Sequence, residues 1–203
     1  MTYPYILTFK STVSLVDDED DSGIDLTTPT GKLKLNNISP GMREILKILL
    51  NNGDTEDGLC NVLEERDGRV NFAEFFYILN QFKECGLIQY NVNSVKGPLA
   101  TLESVTSQFK FIQKEISPDQ KLCLSRFTYC HRVGGRLVLE TPKGFARITL
   151  NNHISTAMLS LLSTPCTANS LCETIHELNM DETKAFLELL LNIDAAFEVV
   201  GKS

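Results

Sequence analysis

Cys166, Cys172 and His176 are the nearest approach to a metal-binding pattern in this chain. A structural zinc site needs four ligands, with its cysteines close enough for one turn to present both. Here the gap between the cysteines is too wide for such a turn, and no fourth ligand stands nearby. The run VDDEDDSGIDL, residues 16–26, can be laid on a calcium loop with Asp18, Asp20, Ser22 and Gly23 at its first ligand and turn positions. The position that must supply a bidentate glutamate is then Pro29, and no helix leads into the loop. A solvated acidic hairpin loop is the reading that fits. His131, His153 and His176 stand apart from any nucleophile or paired carboxylate, and GxSxG, HExxH, GxGxxG and GxxxxGK(S/T) do not occur. Cys130 and His131 would point to opposite faces of a strand, so they cannot act as a pair. The residue types and spacings therefore point to binding, with no catalytic site and no metal in these residues.

Composition agrees with a soluble, non-nucleic-acid protein. The net charge is −7, and the basic residues are scattered singly, whereas phosphate backbones are held by clustered Lys and Arg. The longest apolar runs, such as Leu189-Leu190-Leu191, are far too short for a membrane span. The first residues lack the basic start and apolar core of a signal peptide. A cytoplasmic location is expected, with the six cysteines as free thiols.

The elements that would carry a binding site are written twice. TPTGKLKLNN, residues 28–37, returns as TPKGFARITLNN, residues 141–152. Each copy runs from a Thr-Pro-x-Gly turn into an alternating stretch and then a helix start. Ser39-Pro40 supplies an N-cap and a proline in the first turn, followed by an apolar face of Met42, Ile45, Leu46, Leu49 and Leu50. Ser155 is the expected cap in the second copy, ahead of Met158, Leu161 and Leu162. A brief second helix follows in each, marked by Leu59, Val62 and Leu63, and by Leu171, Ile175 and Leu178. Ser170 and Glu173 have capping-box spacing. The third helix is capped by Asn71 with a stripe of Phe72, Phe75, Phe76, Leu79 and Phe82, closed by Gly86. Its counterpart starts at Asp181 and carries Phe186, Leu189, Leu190 and Ile193.

Strand signals precede both helical sets. Residues 5–16 and 23–26 lie ahead of the first, and FTYCHRV turns at Gly134-Gly135 into RLVLE ahead of the second. The expected fold is α+β: two tandem winged-helix-like modules, each a small three-stranded antiparallel sheet followed by three helices. Residues 1–92 form the first, residues 93–122 an ordered connector, and residues 123–203 the second. Leu187 and Leu191 lie four residues apart, partly off the apolar stripe of the last helix. Either that helix is buried on two faces, or an apolar groove opens between it and the strand at residues 145–150.

LSRFTYCHRVGGRLVLETP, residues 124–142, resembles the segment that opens the second N-terminal domain of SagB-type (McbC-like) azoline dehydrogenases. PLATLES, residues 98–104, resembles their interdomain connector. From about Leu124 onward the chain is also similar to PqqD, the peptide-binding module called a precursor-peptide recognition element. The resemblance covers most of the chain, most strongly from Pro98 to Leu150 and least before Ser39.

It implies a role in making thiazoles and oxazoles in ribosomal peptides, by binding the leader of a precursor peptide. The peptide would add as a strand beside Phe145, Ala146, Arg147, Ile148, Thr149 and Leu150, against a wall of Thr183, Leu187 and Leu191. Lys32 to Leu35, with Tyr77 and Ile78, are the less apolar equivalent in the first copy. The family's flavin domain would follow these modules, but the sequence stops at Ser203. FMN is therefore expected outside this chain, which is either part of a longer dehydrogenase or a free-standing recognition partner. The alternatives are a docking or homodimerisation region for the flavin domain and, with less support, a winged-helix regulator. The purified chain is expected to be colourless and inert toward an azoline peptide, because the oxidation belongs to the cofactor. A stoichiometric yellow chromophore in its absorbance spectrum would contradict this.

Overall fold

The computed structural model describes residues 5–17 and 23–199. The expected acidic loop at Asp18, Asp20 and Ser22 lies outside them. The chain divides into a unit of Ile6–Tyr90 and a second unit that joins Tyr5 to the residues from Asn91 onward.

The amino-terminal unit begins with β1 (Ile6–Phe9), then β2 (Ser14–Asp17), β3 (Gly23–Thr28) and β4 (Gly31–Asn36). The last three form an antiparallel meander in the order β2-β3-β4, with Leu26 opposite Leu33 and Thr28 opposite Gly31 across a two-residue turn. Helices α1 (Pro40–Leu50) and α2 (Glu56–Asp67) follow; a 3-10 turn at Arg69–Asn71 leads into α3 (Phe72–Glu84) and then β5 (Ile88–Ser94). The core is Leu7, Phe9, Ile24, Leu26, Ile45, Leu46, Leu49, Leu59, Leu63, Phe75, Leu79 and Phe82. Ser39 caps α1 as its sequence requires, its hydroxyl accepting from the Met42 N–H at 3.2 Å. Gly86 takes φ +66°, which lets the Leu87 N–H reach back to the Phe82 carbonyl at 2.9 Å and stop α3.

Asn71 makes no side-chain cap, because its amide is turned 3.5 Å from Asp67 and the 3-10 turn feeds α3 directly. Phe72 and Phe76 also leave the expected stripe, and Ile78 takes a core position instead.

The carboxy-terminal unit takes up β5 from Asn91 and turns it back as β6 (Gly97–Ser104). The short β7 (Leu122–Leu124) precedes β8 (Tyr129–Val133), β9 (Arg136–Glu140) and β10 (Ala146–Leu150). Then come α4 (His153–Leu161), α5 (Ala168–Thr174), α6 (Met180–Asn192) and β11 (Ala196–Glu198), which pairs with β7. The order of the main sheet here is β5-β6-β10-β9-β8. Gly134 and Gly135, at φ +54° and +86°, make the two-residue β8–β9 turn that their pairing predicts.

Three strands followed by three helices thus recur in both units, with strands added in each. The added strands matter most in the carboxy-terminal unit. Within residues 93–122, expected as an ordered connector able to add a strand to one domain, β6 pairs along the whole of β10.

Two caps differ from expectation for one reason. Asn152 captures the Ser155 N–H at 3.0 Å, so α4 starts earlier and Ser155 is buried within it. Thr167 forms the capping box with Ser170, placing Ser170 inside α5. In both, an earlier side chain reached the free N–H groups first.

Asp67 joins the end of α2 to the start of α1. Its carboxylate accepts the Gly41 N–H at 3.0 Å, and a Cβ on Gly41 would sit 2.6 Å from its oxygen, so glycine is needed for the approach. Burial pushes the Asp67 carboxyl up, but hydrogen bonds from Ser39, Gly41 and Asn71 outweigh it and hold the group below the usual range. A lowered folded pKa means stability that is present at neutral pH and lost as pH falls through that pKa. Asp67→Ala should therefore cost about 1–2 kcal/mol at neutral pH, and urea titrations of both proteins should converge in acid.

Candidate functional site

The strand expected to receive a peptide, β10, has no open edge. Ala146, Arg147, Ile148, Thr149 and Leu150 pair with Ser104, Glu103, Leu102, Thr101 and Ala100 of β6. On the other side Ile148, Thr149 and Leu150 pair with Leu139, Val138 and Leu137 of β9. Ala146, Ile148 and Leu150 face the core. Arg147 and Thr149 face the other way, where the Arg147 Nε meets Glu103 Oε1 at 2.5 Å. The half-exposed Phe145 gives its carbonyl to the Val105 N–H at 2.6 Å and the Thr106 N–H at 3.2 Å. The site drawn on the second copy is corrected accordingly: an incoming strand would have to displace one of the chain's own.

The proposed wall is closed as well. Leu187 is 1% exposed, and Thr183 is buried with its hydroxyl donated to the Asn179 carbonyl at 2.8 Å. Leu191 is half-buried and gives its carbonyl to Lys114 Nζ at 2.8 Å. Of the two readings open for α6, burial on two faces is the one observed.

The sequence did not single out the polar residues that do this covering. Glu188, at 0% exposure, sits among Phe186, Leu187, Leu189 and Leu190. One carboxylate oxygen accepts from the Tyr5 hydroxyl and the other from the Lys114 N–H. Burial pushes the Glu188 carboxyl up, against those hydrogen bonds and the Lys114 charge. Asn192 bonds both backbone groups of Ile112, its Oδ1 accepting the N–H at 2.8 Å and its Nδ2 donating to the carbonyl at 3.0 Å. A glutamate inside an apolar stripe was the available signal, since an acid there must find donors.

The first copy is different. β4 ends its three-stranded sheet and pairs only with β3 in it. Lys32, Leu33 and Lys34 are exposed, Leu33 at 40%, while Leu35 is half-buried. In the same unit α3 carries Phe76 at 38% and Tyr77 at 67% exposure, with Ile78 buried beneath.

A third cluster lies on the β8–β9 face. The Tyr129 hydroxyl donates to Glu140 at 3.1 Å, and His131 Nε2 is 3.8 Å from the same carboxylate oxygen. That hydrogen bond, with smaller contributions from burial and the carboxylate charge, raises the Tyr129 phenol, so it is no ready acid or base. Cys166 lies opposite Leu122 in an isolated bridge, and the Cys172 thiol sits 3.2 Å from Thr183 Oγ1. Among the described residues no three His, Cys, Asp or Glu side chains converge as a metal ion requires, and no helix is long and apolar enough to cross a membrane.

Arg66, Arg69, Lys83, Lys96 and Arg147 pair with Glu44, Glu64, Glu56, Glu177 and Glu103. Helices α1, α2, α4, α5 and α6 are capped by their own Ser39, Thr55, Asn152, Thr167 and Asn179, whereas α3 has no side-chain cap.

Residues 1–113 match the family model described as the ThcOx helix turn helix domain. Residues 122–201 match the one described as cyanobactin oxidase ThcOx. No curated protein matches the chain.

Burial of Leu187 sets the prediction here. Leu187→Asp should destabilise the carboxy-terminal unit by about 4 kcal/mol or more, since it removes core contacts and buries a charge. A circular-dichroism melt superimposable on the wild type would show that face to be open.

Proposed function

We propose, for a chain that belongs to the ThcOx helix turn helix domain family and is thereby related to the oxidases of ribosomally made peptides, that its amino-terminal unit binds the precursor peptide. The peptide adds as a strand beside β4, in the manner of a PqqD-like recognition element, with its backbone bonded along Lys32–Leu35. The exposed rings of Phe76 and Tyr77 on α3 supply the apolar contacts. The observation that carries the reading is the contrast between the two copies: β4 borders its sheet, whereas β10 is paired on both sides. Strand addition uses the backbone of a border strand for affinity and side-chain contacts for register.

Oxidation of the bound peptide's azolines would belong to a flavin domain carrying FMN. A second reading is docking of that flavin domain, or of a second copy, and it is favoured by β8. That strand ends its own sheet and exposes Tyr129 and Val133.

Fluorescence polarisation with a labelled cyanobactin leader peptide tests the first reading. A Phe76→Asp, Tyr77→Asp double variant should melt within a few degrees of the wild type, because both side chains are exposed, yet bind the leader at least about tenfold more weakly. Unchanged affinity in the folded variant would remove β4 and α3 as the site.

A further inference from the structure

Strand β8 (Tyr129–Val133) ends the sheet order β5-β6-β10-β9-β8, and its pairing with β9 fixes which of its main-chain groups face away. Val133 and Arg136 close the two-residue turn, so they are joined by a turn hydrogen bond. Bonded and non-bonded pairs alternate along an antiparallel ladder. His131 and Tyr129 therefore also bond to β9, opposite Val138 and Glu140, while Cys130 and Arg132 turn their N–H and carbonyl groups outward. The open stretch begins at Tyr129. Just before it, the Thr128 N–H donates to the Ser125 carbonyl at 3.0 Å and the Thr128 hydroxyl to the Ala195 carbonyl at 2.9 Å.

This edge lacks the features that keep edge strands apart. Its pairing with β9 runs from Tyr129 to Val133 without a bulge, and it holds no proline or lysine. Strand β4 differs, because self-pairing about Leu33 would set Lys32 against Lys34. In β8 the exposed Tyr129 and Val133 stand on one face, symmetrically about His131. A two-fold axis at His131 sets Cys130 of one copy opposite Arg132 of the other, twice, so the outward groups of both residues are met. It also sets each Tyr129 against a Val133, an aromatic and β-branched pair that favours strand pairing. The two imidazoles meet at the axis, each with Nε2 3.8 Å from the Glu140 carboxylate of its own chain. An axis at Arg132 would oppose two guanidinium groups. One at Cys130 would set Arg132 against Thr128, whose N–H is already used. The edge is thus its own complement, as an isologous contact requires.

We propose that β8 pairs antiparallel with β8 of a second copy about a two-fold axis at His131, making a symmetric homodimer. The inference rests on the reading of β8 as a docking edge and is independent of the peptide site on β4.

Sedimentation equilibrium of the full chain should show monomer and dimer exchanging in the range of about 10–100 μM, since a single short strand buries much less than a standard interface. Cys130→Pro removes an outward N–H and none of the bonds to β9. It should leave the melting curve in place and the chain monomeric throughout that range. Crosslinking then reads the register, with oxidised glutathione as the oxidant and Cys85→Ser, Cys130→Ser as the background. At the axis the two residues 131 lie about 4.5 Å apart at Cα, within disulfide reach, whereas the two residues 132 lie about 8 Å apart, beyond it. His131→Cys should therefore give a disulfide-linked dimer on a non-reducing gel, and Arg132→Cys should give no more than the background. Both side chains lie on an exposed edge, so this arm decides even if Cys130→Pro fails to fold. Equal crosslinking at the two positions, or a dimer that survives in folded Cys130→Pro, overturns the proposal. A wild-type chain that is monomeric at every concentration also overturns it, and leaves β8 to the flavin domain alone.

Discussion

The pairing of β10 on both sides governs the carboxy-terminal unit. A strand between two neighbours has its N–H and carbonyl groups spent, and its side-chain alternation fixed by register. With β6 opposite from Ser104 to Ala100, the positions Ala146, Ile148 and Leu150 must face inward. That face then sets where α4 and α6 pack. A slip of one residue would send Arg147 and Thr149 into the core and separate Arg147 from Glu103. The pairing also decides which strands can meet another chain. Among the described residues the strands that border these sheets are β2 and β4 in one unit and β8 in the other.

The signals that could be read in advance were local ones. Ser39-Pro40, Gly86 and Gly134-Gly135 each act within a few residues, through a cap, a positive φ or a two-residue turn, and each sits where its chemistry requires. Capping is ambiguous where two suitable residues lie close together, Asn152 before Ser155 and Thr167 before Ser170. Propensity does not say which of two side chains arrives first. The candidate groove failed for a different reason. PLATLES is plainly strand-like, but nothing in its composition says that it lies along residues 146–150, more than forty positions away in the sequence. The partners of Glu188 were equally hidden, because its donors come from Tyr5 and Lys114.

The repeated Leu-Asn-Asn phrase illustrates how the two copies have parted. In the first, Asn37 takes φ +54° at the exit from β4, ahead of the helix that Ser39 caps. In the second, Asn151 bonds back to Thr101 at 2.9 Å while Asn152 becomes the cap itself. Equal words do unequal work, because β6 stands beside one copy and no strand follows β4 in the sheet of the other.

The bond from Tyr5 to Glu188 has a consequence for the order in which the molecule is made. Residues 6–90 are continuous, so their unit holds all its parts soon after it leaves the ribosome. The other unit counts Tyr5 among its members, yet the acceptor lies 183 positions later. Closing so distant a contact cannot begin until α6 has been synthesised. The tyrosine must therefore wait for those later residues before its acceptor exists. In a ribosome-bound chain stalled before α6, a spectroscopic probe at Tyr5 would report an environment without its acceptor, while residues 6–90 are already complete.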